Sequence, residues 1–286
     1  MFIFSKNMNY NSISPKVKLP TSVVRGSFKR RTQIARQYSD KLFEDLYPRF
    51  LHGKVSFDRL QKSVDSVIGK KGTISVIKYP YDKVYAGAQD VNISEYTGKI
   101  SGYTLEVNTD KKALDMSDFP TIIHEFQHCV DMLCNPKYAS RYQKLSSAQM
   151  YGDKYNTVAE NLFFELEPEG SGHKYKARLL NKIEYKFKSF LKDLPFIKKV
   201  DYIQDMRYEL QSELNAYQVE HKYVKRLKRK RHEILKSDLA DGSKTLLLKE
   251  KIKLLNRIGN EYIKKERLKL ASQYHKKLKA AGDKAP

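Results

Sequence analysis

The stretch His124-Glu-Phe-Gln-His-Cys-Val-Asp131 decides how this chain is interpreted, because two histidines stand four residues apart with a glutamate beside the first. On a helix, residues i and i+4 project from the same face, so both imidazoles can bind one Zn²⁺ ion. Glu125 can then act as the general base on a water activated by that ion. The pattern therefore predicts a zinc site with His124 and His128 as ligands.

The residues around this motif predict a short buried helix. Ser117 or Asp118 is placed to cap its start, Pro120 suits a first turn, and Asn135-Pro136 ends it. Its apolar residues are Phe119, Ile122, Ile123, Phe126, Val130 and Leu133. The preceding residues 102–109 alternate between apolar and polar side chains, as a half-buried strand does.

A catalytic zinc site usually has three protein ligands and one open position, and three residues are candidates for the third ligand. Glu213 lies in the helical stretch Tyr208–Tyr217. Cys134 follows His128 by six residues, but that geometry would require Asp131 to adopt a left-handed turn that favours glycine. Asp131 itself lies one turn beyond His128 and is better suited to orienting an imidazole.

Glu213, Ala216 and Tyr217 form an E-x-x-A-Y pattern downstream of the HExxH motif. This pair of motifs resembles the gluzincin class of zinc metallopeptidases, in particular small peptidases whose ligand glutamate opens the second pattern. The resemblance covers roughly residues 70–220. It implies a Zn²⁺ site of His124, His128 and Glu213, with small Ala216 letting the two helices approach closely. Such small HExxH proteins are often carried by phages and mobile elements, so virion association is a further expectation.

The resemblance also implies roles for the neighbouring residues. Glu125 would deprotonate the water and return the proton to the leaving amine of a protein or peptide substrate. Tyr217 or His221 would stabilise the developing oxyanion, and the sequence does not choose between them. Asp131, Tyr217 and Glu209 are expected to support the ligands. Glu209, one turn before the proposed ligand, is alternatively the ligand itself. The alternative for the acidic residues of this helix is a solvated face.

The order of predicted elements indicates an α+β protein with a zincin-like fold, in which a small antiparallel or mixed sheet accompanies the HExxH helix and the glutamate-bearing helix. The predicted strand Ile100–Val107 is expected to be the edge strand that binds an extended substrate by strand addition. The remaining predicted elements are two helices (Phe28–Phe50 and a helix capped by Ser56 and running to Val67), the strands Thr73–Tyr79 and Val84–Ala88, and the helical segments 174–200 and 203–232.

Composition shifts divide the chain into three predicted parts: an extended polar arm (1–25), the zincin-like domain (26–221) and a basic helical hairpin (222–286) that turns at Ala240–Ser243. Residues 221–286 contain 21 Lys/Arg and 7 Asp/Glu, a net charge of +14 out of +22 for the chain. This concentration of charge predicts a polyanionic partner, such as nucleic acid, an acidic protein or an anionic lipid surface, bound through the hairpin. The alternative is a solvated lysine-rich face.

The composition excludes several classes of protein. No apolar stretch is long enough for a membrane span, and the apolar part of the N-terminus is too short for a secretory signal. Two cysteines do not form a disulfide framework, so we expect a cytoplasmic protein. The alternative function is a structural or nucleic-acid-associated protein, such as a virion component, that retains a zincin fold with secondary or no peptidase activity.

Overall fold

The computed structural model describes residues 28–79, 87–93, 100–135, 173–192, 194–229 and 242–282. Within these ranges the chain is a mostly helical α+β structure with one small sheet. The predicted arm at residues 1–25 lies outside the described residues, as does most of the predicted strand Val84–Ala88.

The two N-terminal helices agree with the sequence prediction. Helix α1 is Phe28–Leu51 and helix α2 is Phe57–Ile68. The Ser56 hydroxyl caps α2 by accepting a hydrogen bond from the Arg59 amide, which satisfies one of the free N–H groups of the first turn. Gly69 ends the helix with a φ of 74°, a left-handed conformation in which glycine has no steric penalty.

Three strands form a mixed sheet in the order β1-β3-β2, where β1 is Ile74–Tyr79, β2 is Gly87–Ile93 and β3 is Ile100–Asn108. Strand β3 pairs in parallel with β1 and antiparallel with β2. It is therefore the central strand, and the prediction that Ile100–Val107 forms an edge is wrong. Leu105 and Val107 of this strand lie in the hydrophobic core, as expected for a central strand. Because β3 pairs on both sides, it has no open edge.

The predicted motif helix is α3, Phe119–Cys134, and it ends at Asn135 as expected. Its start differs from the prediction, because Asp118 occupies the cap position without capping through its side chain. The Asp118 carboxylate instead accepts hydrogen bonds from the Asp115 amide at 2.8 Å and from Lys111 Nζ at 3.0 Å. Those bonds hold the loop before α3 rather than its first turn.

The C-terminal half contains helices α4 (His173–Lys192), α5 (Phe196–Arg229) and α6 (Gly242–Gly282). The predicted break near residue 201 is misplaced, because α5 begins directly after Pro195. Proline lacks an amide N–H and suits the start of a helix rather than its interior. The Pro195 carbonyl accepts a hydrogen bond from the Lys199 amide in the first turn of α5.

Helix α5 contributes to two hydrophobic cores. Its residues Met206 and Leu210 pack in a cluster with α4 and α6, whereas Val219, Tyr223 and Leu227 pack in the cluster that contains α1, α3 and the sheet. The position at which we divided the sequence, residue 222, lies inside this continuous helix. Among the described residues, no helix has the length and apolar character that crossing a membrane requires.

Candidate metal centre

Helix α3 places the two motif histidines side by side. Because they are one turn apart, the His124 and His128 rings project from the same face, with ring centroids 4.9 Å apart. Their Nε2 atoms are only 3.2 Å from each other. His128 is almost fully buried, and the His124 side chain is 12% exposed. Two nitrogen donors thus converge on one point.

Helix α5 brings Glu213 to the same point. One carboxylate oxygen of Glu213 lies 3.5 Å from His128 Nε2, and the other lies 3.7 Å from His124 Nε2. These three side chains form a group whose ligand atoms lie within 4.8 Å of one another, and it contains neither Cys134 nor Asp131. Cys134 is buried in the hydrophobic core, where burial raises the pKa of its thiol to about 12.

The spacing of these atoms fits a tetrahedral metal ion. Ligands at about 2.1 Å from a tetrahedral zinc ion lie roughly 3.4 Å from one another. The 3.2 Å between the two Nε2 atoms, and the 3.5 and 3.7 Å from them to the two different carboxylate oxygens of Glu213, are close to that edge length. Two nitrogen donors and one carboxylate are also a ligand set found in catalytic zinc sites. The group is therefore a candidate metal site.

Each imidazole is oriented through its other nitrogen. His124 Nδ1 lies 2.8 Å from Glu220 Oε2, and His128 Nδ1 lies 2.8 Å from the Ser212 hydroxyl. With Nδ1 protonated and donating, each Nε2 has its lone pair free for a metal. Sequence reasoning did not assign these two partners. The spacing of seven residues between Glu213 and Glu220, two helical turns, was the available signal for the first of them.

The three residues expected to support the ligands have different surroundings. The Tyr217 ring meets the His124 ring edge-on, with centroids 4.7 Å apart and planes at 74°. Asp131 accepts a hydrogen bond from Asn215 at 3.1 Å, and the imidazole Nδ1 atoms have the other partners described above. The side chain of Glu209 lies outside the described part of the structure.

Glu125 is partly buried beside the two histidines, on the same helix. Burial raises the pKa of its carboxyl to about 7, with the charges of Glu213, Glu220 and Glu106 adding to the effect and the charge of His124 opposing it. Glu106 lies on the central strand β3 and was not singled out in the sequence. A carboxyl group that titrates near neutrality is suited to accepting and releasing a proton.

The first residue of strand β2 lies directly against Glu125. A Cβ atom added to Gly87 would stand 2.9 Å from Glu125 Cγ and 2.8 Å from Thr121 Cγ2, distances at which atoms overlap. Only glycine therefore fits at position 87 without displacing these two side chains. Among the strands that the structure describes, β2 is an outer one, so the edge of this described sheet begins beside the glutamate of the motif.

In the metal-free protein, the pKa values of the three proposed ligands are shifted in different directions. Burial lowers the pKa of His124, but the carboxylates of Glu213 and Glu220 outweigh burial and raise it well above its usual value. Burial lowers the pKa of His128 to about 4. Although burial raises it, the pKa of Glu213 is held near 2 by the two histidines. One imidazolium and one carboxylate thus neutralise each other where a cation would bind.

Comparison of the chain with protein-family models, curated proteins and solved structures gave no match. The functional interpretation therefore rests on the geometry of the site.

Proposed function

We propose that this protein is a zinc-dependent metallopeptidase of the gluzincin type, with His124, His128 and Glu213 as zinc ligands. The observation that carries the proposal is the convergence of two imidazole nitrogens and one carboxylate at tetrahedral spacing. Glu125, next to the first ligand in sequence, supplies the general base that hydrolysis requires. The proposed ligand shell comes from two helices, α3 and α5, which pack against each other.

A zinc ion held by this group would act as a Lewis acid. It would lower the pKa of water and polarise the scissile carbonyl of a peptide. Glu125 accepts the proton of that water and delivers it to the leaving amine. Glu220 and Ser212 keep the two imidazoles in the tautomer and orientation that ligation requires. Of the two residues expected to stabilise the oxyanion, Tyr217 is favoured because its ring contacts a ligand ring.

The substrate is proposed to lie along strand β2. This strand is paired with β3 on one side and is an outer strand among the described ones, so it can accept an extended peptide on its other side by main-chain hydrogen bonding. Its first residue, Gly87, lies against Glu125. A peptide added to this edge would therefore run past the general base. The edge strand expected from the sequence, Ile100–Val107, is replaced by β2 in this proposal.

The test compares the wild-type protein with Glu125→Gln, measuring zinc content and cleavage of an unfolded protein substrate. The variant should retain about one zinc per chain but lose turnover by roughly 10²–10⁴-fold, because an amide cannot accept the proton. Glu106→Gln is the matched control, since it removes a neighbouring carboxylate that is not the proposed base. Equal turnover by Glu125→Gln and wild type would show that Glu125 is not the base.

A polyanionic partner is proposed at the end of helix α6. Lys222 and Arg226, at the start of the predicted basic segment, form ion pairs with Asp40 and Glu44 of α1, so α1 partly neutralises their charge. The last described turns of α6 instead present a set of exposed basic side chains: Lys264, Lys265, Arg267, Lys269 and Lys276. No ion pair involving these five is found within the described ranges. Nucleic acid is the partner that this charge favours.

A further inference from the structure

A buried polar junction joins helices α1, α3 and α5. Its members share nearly complete burial and polar side chains: Ser39 (0% exposed), Gln127 (0%), Asp131 (2%) and Asn215 (0%). Buried polar groups cost free energy unless they are hydrogen-bonded. The hydrogen bonds among these side chains therefore constrain the helices that supply them.

The centre of the junction is Asn215 on α5. Its amide Nδ2 donates to Asp131 Oδ2 on α3 at 3.1 Å. Its carbonyl oxygen accepts from Gln211 Nε2 at 3.1 Å, and Arg36 Nη2 on α1 approaches the same oxygen at 3.4 Å. Arg36 also donates to Gln218, one turn further along α5. The Asn215 side chain is thus held from its own helix and from both neighbouring helices.

This pairing fixes how α5 lies along α3. Asn215 follows the proposed ligand Glu213 by two residues, and Asp131 follows the proposed ligand His128 by three. A slip of α5 by one residue would move the Glu213 carboxylate by about 1.5 Å, whereas metal–ligand distances tolerate only about 0.2 Å. An apolar contact at this position would be non-directional and would allow such a slip, but a buried amide–carboxylate hydrogen bond does not.

We propose that the Asp131–Asn215 hydrogen bond sets the register of α5 on α3 and thereby positions Glu213 at the metal. The inference rests on the proposed zinc site and adds to it a positioning role for two residues that are not assigned as ligands. Asp131 acts on the helix that carries the third ligand, rather than on an imidazole as expected from the sequence. Both residues act through Glu213, so metal affinity is the property they control.

The experiment measures zinc affinity by competition with a chelator, together with unfolding of the metal-free protein. Asn215→Leu keeps the number and branching of the side-chain heavy atoms but removes the directional bond, and should weaken zinc binding by about 10–100-fold. If this variant does not fold, Asn215→Ser provides the same comparison with a smaller side chain. The exchange variant Asp131→Asn/Asn215→Asp rebuilds the bond with donor and acceptor reversed, and should restore affinity to within about threefold of wild type.

Ser39→Ala is the matched control for structural damage. It removes the 2.7 Å hydrogen bond from Ser39 to Gln127, which joins α1 to α3 without touching α5. It should lower the stability of the metal-free protein while leaving zinc affinity unchanged. The absorption spectrum of Co²⁺-loaded protein gives a second readout, because its ligand-field bands should change in the Asn215 variants and not in Ser39→Ala.

The outcomes separate this inference from the proposed function. Zinc binding by Asn215→Leu, or by Asn215→Ser where Asn215→Leu does not fold, within about threefold of wild type would overturn the positioning role while leaving the zinc site intact. Failure of the exchange variant to recover the zinc affinity of the wild type would overturn it too. Failure of the wild-type protein to bind zinc would contradict the proposed function itself, and the positioning role with it.

Discussion

His124 has a carboxylate near each of its ring nitrogens. Glu220 Oε2 lies 2.8 Å from Nδ1, and Glu213 Oε2 lies 3.7 Å from Nε2. The second position is where a metal would bind, and the raised pKa of His124 favours a proton there in the metal-free protein. Metal binding at this residue is therefore an exchange of a proton for an ion.

This exchange predicts a pH dependence of zinc affinity. Because the pKa of His124 is raised well above its usual value, its ring is protonated at neutral pH and must lose that proton before it binds zinc. Zinc affinity should therefore rise with pH until the pH reaches the pKa of His124. Calorimetry in buffers with different ionisation enthalpies should show release of about one proton per zinc near pH 7, with a further fraction from Glu125.

The pH range of this effect, and not its sign, distinguishes the site from one built of histidines with ordinary pKa values. Such a site loses affinity mainly below about pH 6.5, where free histidine becomes protonated. Zinc affinity that stays constant between about pH 7 and pH 8, with no proton released, would contradict a protonated His124.

At the scale of the elements, the site depends on how closely β2 approaches α3. Gly87→Ala should displace the Glu125 side chain, since the new methyl group would overlap Glu125 Cγ and Thr121 Cγ2. Displacement of a catalytic group by about 1 Å can cost on the order of 10²-fold in rate, so kcat/KM should fall strongly. The zinc content should stay at the wild-type level, because none of the three proposed ligands is touched.

Gly102→Ala serves as the control for this prediction. Gly102 lies on β3 in the same sheet, and its added Cβ would meet the Thr73 carbonyl oxygen at 3.2 Å, away from Glu125. Its effect should be on stability, with kcat/KM of the folded protein close to wild type. If both glycine variants lower activity equally, the approach of β2 to Glu125 has no special role.

The sequence predicted those elements whose signals are local. The cap at Ser56 and the apolar spacing of the motif helix placed α2 and α3 within one or two residues of their observed bounds. Strand order is not local information: β3 is central because β1 and β2 both pair with it. The same reason explains why Glu220 and Ser212 were missed, since each meets a histidine more than eighty residues away in sequence.

At the scale of the whole molecule, α6 has two parts with different surroundings. Its first half is buried against α4 and α5 through residues such as Leu248, Leu255 and Ile258. From Arg267 to Lys276 it is exposed on all sides, including Leu268, Leu270 and Tyr274. Removing residues 222–286 would therefore delete core side chains, each worth about 1.5–3 kcal/mol, as well as basic charge.

Substitutions in the exposed part of α6 separate polyanion binding from stability. Replacing Lys264, Lys265, Lys269 and Lys276 with glutamine should weaken DNA binding. It should also make the dependence of log K on log salt shallower, by about 0.9 for each phosphate that the variant no longer neutralises. Zinc content and peptide cleavage should not change, because none of the four lysines touches the metal centre.

A control with the same change in charge tests whether position matters. Glutamine at the exposed lysines Lys54, Lys62, Lys71 and Lys112 removes four positive charges from the other half of the molecule. If the two variants bind DNA equally, the interaction reflects the net charge of +22 and not the end of α6.

The measurement that tests the central claim most directly is zinc X-ray absorption spectroscopy of the purified protein, with the metal content determined on the same sample. The proposed ligand set of His124, His128 and Glu213 predicts about one zinc per chain, bound only by nitrogen and oxygen at about 2.0–2.2 Å, with imidazole scattering from two histidines. A zinc–sulfur distance near 2.3 Å would place Cys134 or Cys129 in the shell and contradict the assignment. A protein that stays metal-free after zinc supplementation would contradict the metallopeptidase proposal as a whole.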